Sequence, residues 1–307
     1  MSGLILLAII IPIAWGIGML VRPSYKSRKG MLVSVSLGLA VTTILSCMIL
    51  LSGDMEVHLL TLGENMEVFF CVDKIGRIFM SIVTLIFSLV GIYAFEYMGH
   101  GANAEEKRFF GCYLMVYGVL LALCCAGNII TFYLFYELMS LLSMPLVFHT
   151  RSKEAVMAGL KYLFYSLCGA YFVLFGIYFL NQYTTTLDFS FGGTLDMAKV
   201  AGKEGLLLII AMSMIFGFGV KAGMIPMHAW LPTAHPIAPA PASAVLSSII
   251  VKMGVFGVMR VVYYLFGTNF LRGTWAQSFV LVLIIFTIVY GCSMGVKETH
   301  LKRRLAW

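Results

Sequence analysis

Three charged side chains lie inside otherwise apolar stretches of this sequence: Glu137, Lys221 and Lys252. A charge at the centre of a membrane span costs about 2.5–3.5 kcal/mol on insertion scales, so such residues are rare and mark ion paths or proton relays by default. A carboxylate and two amines are groups that bind and release protons. Two histidines, His228 and His235, follow closely on Lys221. Histidine titrates at about pH 6.5 without perturbation and suits a relay. The expected chemistry is therefore the movement of protons or cations, with no catalytic nucleophile, no bound metal and no cofactor. The seven cysteines form no CxxC pair and fall mostly in apolar stretches. They read as small packing residues.

Polar neighbours support the charged positions. Tyr133 and Ser140 fall on the face of Glu137 at helical spacing, and Ser248 lies four residues before Lys252. These three, with Lys161, are candidate accessory groups, although Lys161 can also snorkel to a basic membrane edge. Gly217, Gly219 and Gly223 surround Lys221 and permit close helix approach. Arg260 reads as structural and Glu96 as interfacial. His58, His100 and His300 read as loop residues, and His149 as a helix end.

These residues need helices to hold them in a membrane. Of 307 residues, 61% are hydrophobic and 11% charged, against about 45–50% and 25% in soluble domains. Nine apolar stretches are long enough to span, roughly 2–21, 30–51, 76–98, 109–126, 128–148, 156–180, 205–226, 241–266 and 276–296. The expected fold is an all-α polytopic membrane protein of about nine transmembrane helices. The first stretch lacks a basic start and a small-residue cleavage site, so it reads as a retained span. After the seventh stretch, Pro226, Pro232, Pro236, Pro239 and Pro241 crowd into a short segment. Broken backbone survives in a membrane only where protein or a water-filled cavity surrounds it.

The loops set an orientation. The connections after spans one, three, five and nine hold twelve basic residues: Arg22, Lys26, Arg28, Lys29, Lys107, Arg108, Arg151, Lys153, Lys297, Lys302, Arg303 and Arg304. The opposite connections hold five basic residues and most of the acids, including Glu56, Glu64 and Asp73. Cytoplasmic loops carry the Lys/Arg excess, which predicts an outward N-terminus. The net charge of +7 thus belongs to membrane edges and gives no sign of a nucleic-acid partner.

The string KAGMIPMHAWLPTAHPIAPAPASAVLSSIIVK, from Lys221 to Lys252, and FYELMSLLSMPLV around Glu137 closely resemble the antiporter-like proton- or sodium-pumping subunits of respiratory complex I. Related subunits occur in Mrp-type cation/proton antiporters and group 4 membrane-bound hydrogenases. The resemblance covers about residues 70–307. It implies two inverted five-helix repeats, each with a broken helix, a common transporter design. Glu137 then matches the family's glutamate, Lys221 its broken-helix lysine, Lys252 its connecting lysine, and His228 and His235 its loop histidines. The family usually carries Asp where this chain has Thr233.

On this reading residues 1–104 hold spans one to three, 105–267 the first repeat with a broken seventh helix, and 268–307 the start of the second repeat. The resemblance implies an ion-translocating subunit of a redox-driven complex such as NADH:quinone oxidoreductase or a hydrogenase, doing no redox chemistry itself. Its partners would be other membrane subunits, lipid, and H+ or Na+, in a bacterial or archaeal cell membrane. The alternatives are an Mrp-type Na+/H+ antiporter subunit, a non-pumping assembly subunit and, more remotely, a quinone-binding redox enzyme. The family usually has about fourteen spans, so the chain is expected to be a fragment, a truncated product or one completed by another polypeptide.

Overall fold

The structure is a computed structural model that describes residues 3–22, 25, 27–63, 66–100 and 105–307. Ser2 at the start of the first expected span, Lys26 and Glu64 among the loop charges, and the boundary at residue 104 lie outside the described residues. Among those residues, nine helices are long and apolar enough to cross a membrane: Gly3–Val21, Arg28–Leu51, Lys74–Gly99, Glu106–Cys124, Ile129–Val147, Lys153–Leu180, Glu204–Ala222, Ala240–Leu265 and Trp275–Lys297. They are called spans 1 to 9 below. Large apolar side chains such as Ile44, Ile92, Phe164 and Tyr178 lie on the outside of the bundle, where lipid is the solvent. The protein is an integral membrane protein.

Short polar residues start spans 2, 3, 5 and 6 and accept from backbone N–H groups that the first turn leaves unpaired. Ser27 accepts from Gly30 N–H at 3.1 Å, Asp73 from Gly76 N–H at 3.0 Å, Asn128 from Thr131 N–H at 2.8 Å and Ser152 from Ala155 N–H at 3.1 Å. Span 4 is the centre of the bundle. It is 89% buried along its most apolar window, against 33% for each of spans 1 to 3 and 0% for span 9. It packs on spans 1, 3 and 5, while span 6 packs on span 7 and span 7 on span 8.

The connection between spans 2 and 3 holds a feature that hydropathy alone does not anticipate. Strands β1 (Glu56–Gly63) and β2 (Met66–Cys71) form an antiparallel hairpin. It binds the turn between spans 4 and 5: Cys71 N–H donates to the Cys125 carbonyl at 2.7 Å and Gly127 N–H to the Phe69 carbonyl at 3.2 Å. The hairpin uses Val, Phe and Thr, which favour strands, but it lies outside the spans, which are all helical.

Span 8 is tied to the same end. Arg260, 0% exposed, donates to both Asp73 carboxylate oxygens at 2.5 and 2.9 Å. Its guanidinium also lies over the rings of Phe189, Phe256 and Tyr264. Asp73 therefore both caps span 3 and pairs with a residue of span 8, the structural role expected for Arg260.

Span 7 ends at Ala222, four residues before the expected limit at 226. Gly223 turns into the left-handed region with φ 83° and stops the helix. The chain then crosses residues 224–230 in turns and re-forms a short helix, Leu231–Ile237. The Trp230 indole N–H donates to the Val220 carbonyl at 3.0 Å, satisfying one of the carbonyls the break exposes. The seventh helix is broken as expected.

Candidate ion-translocation site

Lys221 lies in the last turn of span 7 and is 1% exposed. Its ammonium donates to three hydroxyls: Ser140 Oγ at 2.9 Å, Tyr162 Oη at 2.6 Å and Ser166 Oγ at 3.0 Å. It also sits 4.2 Å from the centre of the Tyr162 ring, a cation–π position. Three donors thus meet three acceptors, so this geometry fits the protonated amine.

The hydroxyls are oriented for the task. Ser140 can spend its own hydrogen on the Tyr136 carbonyl at 3.1 Å. Tyr162, accepting from Lys221, is free to donate to Ser143 Oγ at 2.6 Å, and Ser143 donates on to the Ser140 carbonyl at 3.2 Å. Span 6 reaches Lys221 because Gly169 faces Gly217 there: a Cβ on either would strike the other's carbonyl oxygen. Small residues at such contacts let spans approach closely.

Glu137, on span 5, is the other expected half of this centre. Among the described residues it forms no ion pair with Lys221, whose three bonds go to hydroxyls. Its Oε1 is buried without a hydrogen-bond partner. The ammonium's three hydrogen bonds are thus filled by the hydroxyl cage and not by Glu137. Tyr133, one turn before Glu137, is partly buried, and Ser140, one turn after it, belongs to the cage.

The remaining candidates spread along the broken segment. His235, 3% exposed, shares a hydrogen bond with Ser243 Oγ at 2.9 Å and leaves Nε2 buried without a partner. His228 packs against the rings of Tyr290 and Trp307, and its Nδ1 has no hydrogen-bond partner among the described residues. Lys252 is exposed on the outside of span 8, and its amine donates to the Ser247 carbonyl at 2.9 Å. It follows a π-helical turn, Leu246–Ile250, a local irregularity frequent at functional sites. Ser248 donates to the Ala244 carbonyl at 2.6 Å and makes no bond to Lys252. Lys161 points into the protein and donates to Thr233 Oγ1 at 2.9 Å, touching the position where the resembled family carries Asp.

Sequence reasoning missed Tyr162, Ser166 and Ser143. A signal was present: Tyr162 and Ser166 are four apart in span 6, and Ser140 and Ser143 three apart in span 5. Such spacings place polar groups on one face, but nothing local says what that face meets.

Nine apolar helices among the described residues, one of them broken beside a buried ammonium, define a polytopic membrane protein. Residues 126–307 match the family described as NADH:quinone oxidoreductase/Mrp antiporter, transmembrane, and residues 60–110 match NADH-ubiquinone oxidoreductase (complex I), chain 5 N-terminus. The chain belongs to the NADH:quinone oxidoreductase/Mrp antiporter family. It is 31% identical over 242 residues to hydrogenase-4 component B of Escherichia coli (strain K12), covering 76% of this chain and 34% of that one. It is 24% identical to a Na(+)/H(+) antiporter subunit of Alkalihalophilus pseudofirmus, covering 100% of this chain and 61% of that one. A chain from the structure of the membrane-bound sulfane sulfur reductase, an archaeal respiratory membrane complex, shares the fold with a TM-score of 0.76 at 17% identity, over 99% of this chain and 62% of that one. The chain thus spans between about a third and three-fifths of the length of these relatives.

Proposed function

We propose that this protein is an ion-translocating, antiporter-like subunit of a redox-driven membrane complex of the NADH:quinone oxidoreductase or hydrogenase type. The observation that carries the reading is Lys221, an ammonium enclosed in the bundle at a helix break and hydrogen-bonded to three neutral hydroxyls. Family membership and the relatives' printed functions support it.

In the proposed mechanism Lys221 holds a proton in the observed geometry. Glu137 supplies a stabilising field without a bond, and burial penalises the charge. When Glu137 is neutralised or displaced by a change in a neighbouring membrane protein of the complex, Lys221 releases its proton. The neutral amine then needs a donor, and one cage hydroxyl turns to supply it. The proton moves on by water and by His228 and His235 towards Lys252. Lys161, Tyr133, Ser140 and Ser248 are accessory groups. The N-terminus faces outward and the basic loops inward, in a bacterial or archaeal cell membrane, and the other membrane subunits are its partners.

The test is ion uptake by vesicles containing the assembled complex. Glu137→Gln and Lys221→Ala each strongly reduce uptake while insertion and assembly persist, and Lys252→Ala weakens it less. Unchanged uptake in both first variants would sink the pathway and favour a non-pumping assembly subunit.

A second reading, an Mrp-type antiporter subunit, is favoured by the alignment with the Alkalihalophilus pseudofirmus antiporter protein along the whole of this chain. Proton flux driven by a Na+ gradient with no electron donor present would select it over the redox-driven reading.

A further inference from the structure

At the basic end of the bundle, a cavity of about 610 Å³ opens between the ends of spans 1, 2 and 4. Its floor is apolar, from Leu20 and Met31, and its rim carries Arg28, Lys107, Arg108 and Arg151. Two carboxylates, Glu105 and Glu106, share that rim. Both are already engaged. Glu106 pairs with Arg28 at 3.0 Å, and Glu105 pairs with Arg108 and, at 3.0 Å, with Arg151. Among the described residues, four cations against two anions leave an excess of two positive charges. Lys107 has no carboxylate partner among the described residues and donates instead to the Arg22 carbonyl at 2.5 Å.

Two further features point to an anion. The N-termini of spans 2 and 4 both end at this cavity, and span 4 has no side-chain cap there. Helix N-termini carry partial positive charge. Arg151 holds the left-handed conformation at φ 54°, where no other non-glycine among the described residues sits. Strain of this kind persists where the surroundings enforce it and clusters at binding sites.

We propose that this cavity seats the phosphate headgroup of an anionic phospholipid, with Lys107 and Arg151 contacting the phosphate and an acyl chain lying over Leu20 and Met31. The apolar floor is what distinguishes a lipid from a free phosphate. The site is at the membrane edge, where basic pockets between spans meet headgroups, and it is independent of the ion path around Lys221.

The test is native mass spectrometry and thermal unfolding of the full chain in detergent, titrated with phosphatidylglycerol, phosphatidylcholine or inorganic phosphate. Phosphatidylglycerol should bind and raise the unfolding temperature, and the other two should not. Lys107→Gln and Arg151→Gly should each weaken that binding about fivefold, from about 1 kcal/mol per basic residue. Arg151→Gly also relieves the left-handed strain, so it separates lost binding from lost folding. Lys199→Gln with Lys203→Gln, on the opposite end, should change nothing. Equal binding of phosphatidylcholine, unchanged binding in both rim variants, or full stabilisation by inorganic phosphate alone would overturn the proposal.

Discussion

Lys221 and Tyr162 are joined twice over: the ammonium donates to the phenol oxygen at 2.6 Å and lies 4.2 Å from the centre of the same ring. The phenol in turn meets Ser143 at 2.6 Å. One residue of span 6 thus fixes a charge carried by span 7 and links it to span 5. Tyr162 was not a candidate from sequence, and it makes the shortest of the three bonds to the amine.

Replacing Tyr162 by Phe keeps the ring and removes one acceptor. A hydrogen bond to a charged group contributes about 1.5–3 kcal/mol, so Lys221 should become less readily protonated and ion uptake by the assembled complex should fall. The pH profile of uptake should move towards acid, because more acid is needed to restore the ammonium. Ser166→Ala should do the same more weakly. A Tyr162→Phe variant with wild-type rate and pH profile would remove Tyr162 from the path.

Arg260 and Asp73 predict a stability effect without a transport effect of their own. Removing Asp73 leaves the fully buried Arg260 uncompensated, at a cost of about 3–5 kcal/mol, whereas removing Arg260 leaves an Asp73 side chain that is 27% exposed, so that loss is smaller. Arg260→Ala should therefore lower the thermal stability of the purified protein and its yield of assembled complex. Asp73→Asn should also be destabilising, since it loses charge while retaining a capping oxygen. The double variant should be less damaging than the sum of the two, as a double-mutant cycle of thermal midpoints would show.

His149, in the link between spans 5 and 6, is 7% exposed, and its pKa is pushed down to about 4 by burial and by Arg108 and Arg151. Its folded pKa lies below its unfolded value near 6.5, so the unfolded chain binds the proton more readily. Above about pH 6.5 the group has no effect on stability; as pH falls from there to about 4, stability is progressively lost. The loss is on the order of 3 kcal/mol. His149→Gln should flatten the unfolding midpoint across that window, and an unchanged acid slope would contradict the assignment.

The orientation is testable by labelling. Ser27 and Ser152 cap spans 2 and 6, so the cysteines belong on their exposed neighbours Lys29 and Lys153, with Lys203 for the opposite side. The background replaces the exposed Cys47 and Cys292 with Ser. In intact cells an impermeant maleimide should label Lys203→Cys and spare the other two. The reverse pattern would invert the topology.

Much of the fold was legible locally. Nine spans and the break after Lys221 follow from hydropathy and proline, which act within a few residues. Glu137, Lys221 and Lys252 stood out because charge in an apolar run is costly whatever surrounds it. The neighbours of those charges were not legible. Lys221 meets hydroxyls from spans 5 and 6 that are 55 to 81 residues away, and Arg260 finds its carboxylate 187 residues away. Which faces meet depends on interhelical packing, here the close approach of Gly169 and Gly217. Sequence spacing places Glu137 and Ser140 on one face of span 5, but only the packed bundle puts Ser140, and not Glu137, against the ammonium. The tertiary structure decides this because a side chain's partner is set by the distance and rotation between helices, and no local pattern encodes either.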